Sequence, residues 1–418
     1  MRILIVLHQF FPEFCSGTER VALNLARMAQ RAGHHVQVLA CAVNPGAIES
    51  QPSSALPCAL EVVYEGLPVL LVPRAALPIT ADYSLDVAPD LIDMLCFWMR
   101  EQRFDIAHVL HPMRMATVVK AAQECGLPYV MTLTDFFLPC SRINLVNLRN
   151  LPCRGPDQGQ QCARDCKVPP WSEETLKLRF QQASALLASA SACVAPSNYV
   201  AQRYRDAFAG LPVQVIPHGI DLLALLRHAA PRHTEGLKGD VLTLGYLGTI
   251  VPQKGLQVLL KALAALPDLQ IRLRVAGGVH GDAAYSETIH RLANGDRRVE
   301  MLGQIDAADV ASVLSSIDVL CLPSIVPESY SLVVRESAAL GVPALVSDLG
   351  APAELMAETG AGQVLPAGDV RAWAAAIEQL HRSPQIIKQW RKVLPLPLRM
   401  EEEAFFYESL YRQFRRIG

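Results

Sequence analysis

Apolar residues fall in short unbroken runs, separated by stretches where they recur every three or four positions. Arg2–Leu7, RILIVL, is one such run, as expected of a parallel strand covered on both faces. A loop of turn formers follows and ends in Ser16-Gly17-Thr18-Glu19. Val21, Leu25, Met28 and Ala32 then recur at helical spacing, and Gly33 stops the helix. His35–Ala40, Ile106–Leu110, Tyr129–Thr132 and Ala192–Ala195 predict further buried strands with helical patterns between them. This is βαβ order, which predicts a doubly wound α/β sheet. The pattern restarts after about Leu211. Strands are predicted at Val213–Ile216, Thr243–Leu247, Arg272–Ala276, Val319–Leu322 and Ala344–Ser347, with helices around 254–265, 307–316, 332–341 and 369–382. The Pro-rich Leu394–Leu398 breaks the pattern, and an acidic-to-basic helix, Glu401–Arg416, closes the chain. The expectation is two Rossmann-like domains, 1–210 and 211–396, facing across a cleft, with residues 397–418 packing back on the first. Ligands of such sheets bind beyond the carboxyl ends of the strands.

Composition narrows the class. The 418 residues include 38 basic and 40 acidic side chains, a formal net charge of −2. No global field favours nucleic acid. Hydrophobic residues make up 51% of the chain and mean hydropathy is +0.22, yet no run approaches the roughly 18 apolar residues of a spanning helix. The opening MRILIVLHQFFP has the charge and apolar order of a signal peptide, but its apolar run is five residues and no small-residue cleavage site follows. It reads as a buried strand. A cytoplasmic setting is expected, so the 11 cysteines are not expected to form a disulfide framework. The apolar balance permits peripheral contact with the inner face of a membrane.

Candidate chemistry concentrates in Pro327–Pro343, PESYSLVVRESAALGVP. Glu328 and Glu336 flank a small turn that leads into an apolar helix. A helix starting near Ser331 points free N–H groups and its positive dipole end back toward Glu328, which suits a diphosphate. Glu336, about one turn further in, can accept hydrogen bonds from a sugar diol. Alternatively both are solvated helix residues, although Glu336 sits among Leu332, Val333, Val334, Ala338 and Ala339. In Gly245–Leu256, GYLGTIVPQKGL, Gly248 follows a strand, and Lys254 opens a helix where it can reach a phosphate or remain solvated. Gly17 lets backbone approach a ligand, or the loop is an ordinary cap with Ser16 or Thr18 as the capping residue.

Taken in order, these segments resemble a known family. SGTERVALNLARMAQRAGHHV, FDIAHVLHP, APSNYV, VIPHGID, YLGTIVPQKG and PESYSLVVRESAALGVPALVSDLGAPAEL look like the successive landmarks of retaining GT-B-fold glycosyltransferases. These form the large group with the Glu-x7-Glu signature (family 4, glycosyl transferases group 1). The resemblance implies a donor domain at 211–396 and an acceptor domain at 1–210. It implies transfer of a sugar from a nucleoside diphosphate sugar to a hydroxyl of a saccharide or lipid-linked saccharide, in polysaccharide or glycoconjugate biosynthesis, with no metal or other cofactor in catalysis. Glu336 would hold the ribose and Glu328 a hydroxyl of the donor sugar. N–H groups at Tyr330, Ser331 and Leu332 would meet the diphosphate, with Lys254, Gly248 and Thr249 beside them. Gly17 would close from the other domain, and His111 would contact donor or acceptor, whereas His108 reads as structural. Two positions depart from the family pattern. Thr249 stands where an arginine is usual, and Thr134 stands where a histidine usually precedes Asp135. A non-catalytic nucleotide-sugar-binding protein and a GT-B-type sugar-nucleotide epimerase are the alternatives.

Cys140, Cys153, Cys162 and Cys166 fall within 27 residues of a loop-like segment. Four thiolates can complete a structural zinc site, although the spacings lack paired CxxC knuckles. A loop with free thiols is the other reading.

Overall fold

The computed structural model describes residues 1–78, 83–149, 151–167, 171–229, 241–280 and 283–416. The chain divides into two compact units. Unit 1 comprises Met1–Gly219 and Met400–Gly418, and unit 2 comprises Ile220–Arg399.

Unit 1 is built on a nine-stranded sheet. In chain order its strands are β1 (Arg2–Leu7), β2 (His35–Ala42), β3 (Gln51–Pro52), β4 (Leu60–Tyr64), β5 (Leu67–Pro73), β6 (Ile106–Val109), β7 (Tyr129–Thr132), β8 (Ala192–Ala195) and β9 (Val213–Val215). Their spatial order is β3-β4-β5-β2-β1-β6-β7-β8-β9. The pairs from β5 to β9 are parallel, and the β3–β4 and β4–β5 pairs are antiparallel. The unbroken apolar runs are explained by burial on both faces: Ile3, Leu4, Ile5, Val6 and Leu7 are at most 1% exposed. The chain leaves β1 toward β2 on one side and returns to β6 on the other, so the strand order reverses at β1/β6.

Unit 2 holds six strands: β10 (Leu242–Leu247), β11 (Ile271–Ala276), β12 (Val299–Gly303), β13 (Val319–Leu322), β14 (Ala344–Ser347) and β15 (Gly362–Leu365). All its pairs are parallel, in the order β12-β11-β10-β13-β14-β15. Here the order reverses at β10/β13.

Three details differ from the expectations. β9 pairs with β8, so it completes the first sheet, and the division falls at Gly219/Ile220 rather than at residue 211. Strands β3 to β5 were not foreseen: β3 and β4 carry Gln, Pro, Glu and Tyr in place of an unbroken apolar run, and in β5 Pro68 and Pro73 bracket the short run Val69–Val72. β12 and β15 are edge strands with mixed burial, which gives them no clean apolar signature.

The closing helix, Met400–Phe414, belongs to unit 1 and is held there by buried polar contacts. Glu403 is fully buried and accepts from the Gly219 N–H and from His218 Nδ1, both at 2.8 Å. Tyr411 Oη lies 2.6 Å from His108 Nδ1, and Tyr407 Oη lies 2.7 Å from Thr132 Oγ1. Among the described residues no helix is long and apolar enough to cross a membrane.

Candidate functional site

In unit 2 the chemistry gathers where β10 and β13 end side by side. Lys254 follows β10 in a short 3-10 turn, Pro252–Lys254. Glu328 lies in the loop after β13. Lys254 Nζ donates to both oxygens of Glu328, at 2.7 and 2.8 Å. Ser324 Oγ donates to the same carboxylate. The Glu328 side chain is only 10% exposed, against 37% for Lys254, so the lysine is the wet end of the pair. Two glycines make this approach possible. A Cβ on Gly255 would lie 1.8 Å from the Pro323 carbonyl oxygen, and one on Gly350 would lie 2.2 Å from the Glu328 carbonyl oxygen. Both have positive φ, which glycine adopts at little cost.

Next to the pair, the helix Leu332–Ala339 starts at Ser331. The N–H groups of its first turn have no acceptor within the helix, and its dipole is positive at that end. Ser331 caps it with φ 66° and ψ 91°, and its side chain makes no capping hydrogen bond. A non-glycine residue with that backbone is strained. Tyr330 is buried, and the Arg335 guanidinium lies 4.7 Å from its ring centre. Glu336 is half-buried one turn into the helix, while Gly248 and Thr249 are exposed just past β10. Of the residues singled out in this unit, Lys254 and Glu328 are thus in direct contact, and Tyr330, Ser331, Leu332 and Glu336 belong to the adjoining turn and helix.

In unit 1, strands β1, β6 and β7 end next to one another and carry His8, His111 and Asp135 just beyond. His111 is 2% exposed. Its Nε2 lies 2.8 Å from Asp135 Oδ2, and its Nδ1 accepts the Met113 N–H at 3.2 Å. A nitrogen that accepts carries no proton, so this arrangement places the ring proton on Nε2, facing the carboxylate. His8 stacks beside it with ring centres 4.1 Å apart. Burial, then the charges of His111 and Arg114, hold the His8 pKa well below its ordinary value. His108 is fully buried between Tyr411 and Thr132. Gly17 is the first residue of the helix Gly17–Arg31, and Ser16 rather than Thr18 is its cap, with Glu19 reaching back to the Ser16 N–H at 2.8 Å. His8, Glu19, Arg114 and Asp135 were not foreseen as site residues. His8, Arg114 and Asp135 lie just past the carboxyl ends of β1, β6 and β7, whereas Glu19 lies in the first turn of the helix Gly17–Arg31.

The zinc expectation is corrected. Among the described residues no group of three or more His, Cys, Asp or Glu side chains is disposed to hold a metal ion. Cys140 belongs to the apolar core of unit 1 and Cys153 packs against it. Burial, followed by the neighbouring thiols, pushes Cys162 up to about 12 and Cys166 up to about 11.

The family model described as Glycosyltransferase Family 4 matches residues 15–222, and that described as Glycosyl transferases group 1 matches residues 231–394. The phosphatidyl-myo-inositol mannosyltransferase of Mycolicibacterium smegmatis is 27% identical over 385 residues, covering 90% of this chain and 84% of that one. The protein of the same description in Mycobacterium leprae is 32% identical over 187 residues, covering 44% of this chain and 48% of that one. That match therefore spans about half of the relative. The sucrose-phosphate synthase of Thermosynechococcus elongatus superposes with a TM-score of 0.68 at 18% identity, over 99% of this chain and 98% of that one. Anabaena Alr3699/HepE, solved with UDP and glucose, gives 0.69 at 15% identity, over 99% and 100%. At those identities the likeness establishes the fold, which is GT-B. With the two family models matched in tandem along nearly its whole length, the chain belongs to the family 4, group 1 glycosyltransferases.

Proposed function

We propose that the protein moves a sugar from a nucleoside diphosphate sugar to a hydroxyl of a saccharide or lipid-linked acceptor, with retention at the anomeric carbon. Unit 2 takes the donor and unit 1 the acceptor. The observation that carries this reading is the Lys254–Glu328 pair set beside the open N-terminus of Leu332–Ala339. A diphosphate arriving there meets the helix N–H groups of Ser331 and Leu332, the backbone at Tyr330, Gly248 and Thr249, and the half-exposed lysine. Lys254 then turns from Glu328 to the phosphate, and Glu328 is left to accept from a hydroxyl of the donor sugar. Glu336 holds the ribose diol. Charge grows on the diphosphate as the sugar departs, so the lysine acts most strongly in the transition state. The leaving phosphate takes the acceptor's proton, and no metal takes part. Gly17 and His111 act from unit 1.

Solved neighbours bind UDP or UDP-glucose, and curated relatives carry the names phosphatidyl-myo-inositol mannosyltransferase and D-inositol 3-phosphate glycosyltransferase. The first set supports a nucleotide-sugar donor, and the second supports an acceptor built on an inositol or a lipid that carries it. Thr249, in place of a cation, favours a second reading: a nucleotide-sugar-binding protein without turnover. A thermal-shift screen of UDP-, GDP- and ADP-sugars tests the donor site, since a ligand at 100 times its Kd stabilises by about 2.7 kcal/mol. Transfer or donor hydrolysis, unchanged by EDTA and lowered more in kcat than in affinity by Lys254→Ala, supports the enzyme. A stabilising donor that is never turned over supports the second reading. Glu336→Ala is expected to weaken donor binding roughly 10- to 100-fold, through loss of charge-assisted bonds of about 1.5–3 kcal/mol each.

A further inference from the structure

One buried cation in unit 1 has no part in the site described so far. Arg179 lies in the helix Glu173–Ala188, whose buried stripe is Leu176, Arg179, Ala183, Leu186 and Leu187. The arginine thus occupies a position that helical periodicity gives to an apolar residue. It is 4% exposed, and burial lowers its pKa only to about 10, so it stays charged near neutrality. Its partners are three backbone carbonyls rather than a carboxylate. Nε donates to the Tyr83 carbonyl at 2.7 Å, Nη1 to that of Leu138 at 3.0 Å, and Nη2 to that of Phe137. The guanidinium carbon also lies 4.8 Å from the centre of the Phe137 ring.

A charge placed there is costly, since carbonyl dipoles only partly replace its hydration. A methionine would fill the same stripe with less loss. What the arginine supplies is direction. Its planar fork holds the carbonyls of two successive residues, Phe137 and Leu138, turned inward, where each would otherwise be buried without a donor. With its carbonyl held in this way, Phe137 sends its N–H to Asp135 Oδ1 at 2.8 Å. That leaves Asp135 Oδ2 for His111 Nε2, also at 2.8 Å. Tyr204, buried in the helix Asn198–Ala207, donates to the Asp135 carbonyl at 3.0 Å and ties down the same turn. The Phe137 ring packs on the His111 ring, with centres 5.2 Å apart. Arg179 therefore reaches His111 by two routes, the Asp135 carboxylate and the Phe137 ring.

We propose that Arg179 is a positioning residue for the transfer reaction: by clamping the Phe137 and Leu138 carbonyls it aims Asp135 at His111 and fixes the imidazole with its Nε2 proton toward that carboxylate. Arg179 itself touches no substrate. This rests on the transferase reading above, in which His111 acts from unit 1, and adds to it the residue that sets the geometry of that histidine.

The test uses the full chain with isotopically labelled histidine and no ligand. A ring N–H bonded to a carboxylate on a residue 2% exposed is shielded from solvent exchange. His111 is therefore expected to show a persistent Nε2–H resonance, assigned by its loss in His111→Gln. Arg179→Met should remove that resonance, and Arg179→Lys, which keeps the charge but not the fork, should weaken it. Should the methionine variant fail to fold, the lysine variant carries the comparison. Turnover is read as hydrolysis of whichever UDP-, GDP- or ADP-sugar stabilises the wild type. Arg179→Lys should lower kcat roughly 10- to 100-fold and leave the donor KM nearly unchanged. In an Asp135→Asn background the same substitution should cost little more, because both residues act through His111. The proposal is overturned if the resonance is absent from the wild type, if it is unchanged in the folded Arg179 variants, or if the kcat losses of Arg179→Lys and Asp135→Asn multiply in full. A wild type that turns over no donor overturns the transferase reading, and the resonance still decides whether Arg179 orients His111.

Discussion

Ser331 concentrates the tension of the proposed donor site in one residue. Its φ of 66° puts a side chain where glycine is at ease, and such a conformation costs of order 1–3 kcal/mol. Ser331→Gly is therefore expected to raise the stability of unit 2 by up to about 1 kcal/mol in urea unfolding. Ser331→Val, β-branched, should lower it and weaken donor binding. Unchanged stability in both variants would mean that the backbone there is unstrained. Gly350→Ala makes a sharper case, because its Cβ would collide with the backbone of Glu328 itself. Donor affinity should fall even though residue 350 touches no ligand in the proposed site. Lys254 and Glu328 were legible in the chain because each sits at a fixed distance past an apolar run, in a recognisable order. Their direct contact was not, since 74 residues separate them. Arg179 was illegible for another reason. What marks it is its burial against three carbonyls, and that is a property of the folded neighbourhood.

At the scale of elements, buried parallel strands announced themselves and edge strands did not. β1, β7, β8, β13 and β14 have the expected bounds, because a strand covered on both faces is an unbroken apolar run with polar residues only at its ends. β4 is half-exposed, so its sequence reads as loop. The closing helix shows how an element with weak apolar periodicity is still fixed. Glu403 satisfies His218 and the Gly219 N–H at once. Glu403→Ala removes both hydrogen bonds, leaves the buried Gly219 N–H without its acceptor and is expected to cost about 1–3 kcal/mol. Hydrogen exchange should show the loss concentrated in residues 400–414 and 216–219. Protection spread evenly over both units would count against this account.

For the whole molecule, two buried histidines set a direction of pH dependence. Burial, then the charge of His218, holds His108 down to about 3, and His8 is depressed in the same sense. The unfolded chain takes up a proton on each near 6.5, while the folded protein refuses it until far lower pH. The His108 contribution is full above about pH 6.5 and is lost as the pH falls toward 3, at up to about 1.4 kcal/mol per pH unit, and His8 acts in the same direction. Urea midpoints should drop between pH 7 and pH 5, and His108→Gln should make that drop shallower. An unchanged slope would show that His108 already takes up its proton in the fold. A different property follows from how unit 2 begins and ends. The Ile220 N–H donates to the Leu398 carbonyl at 2.9 Å, and Ile220 bridges Arg399 in parallel. The two ends of a 180-residue insert are thus laced together at its root. Such an insert is built as a cassette: cutting it out at 219/220 and 399/400 and joining the equivalent piece of a relative is expected to leave the sheet of unit 1 folded.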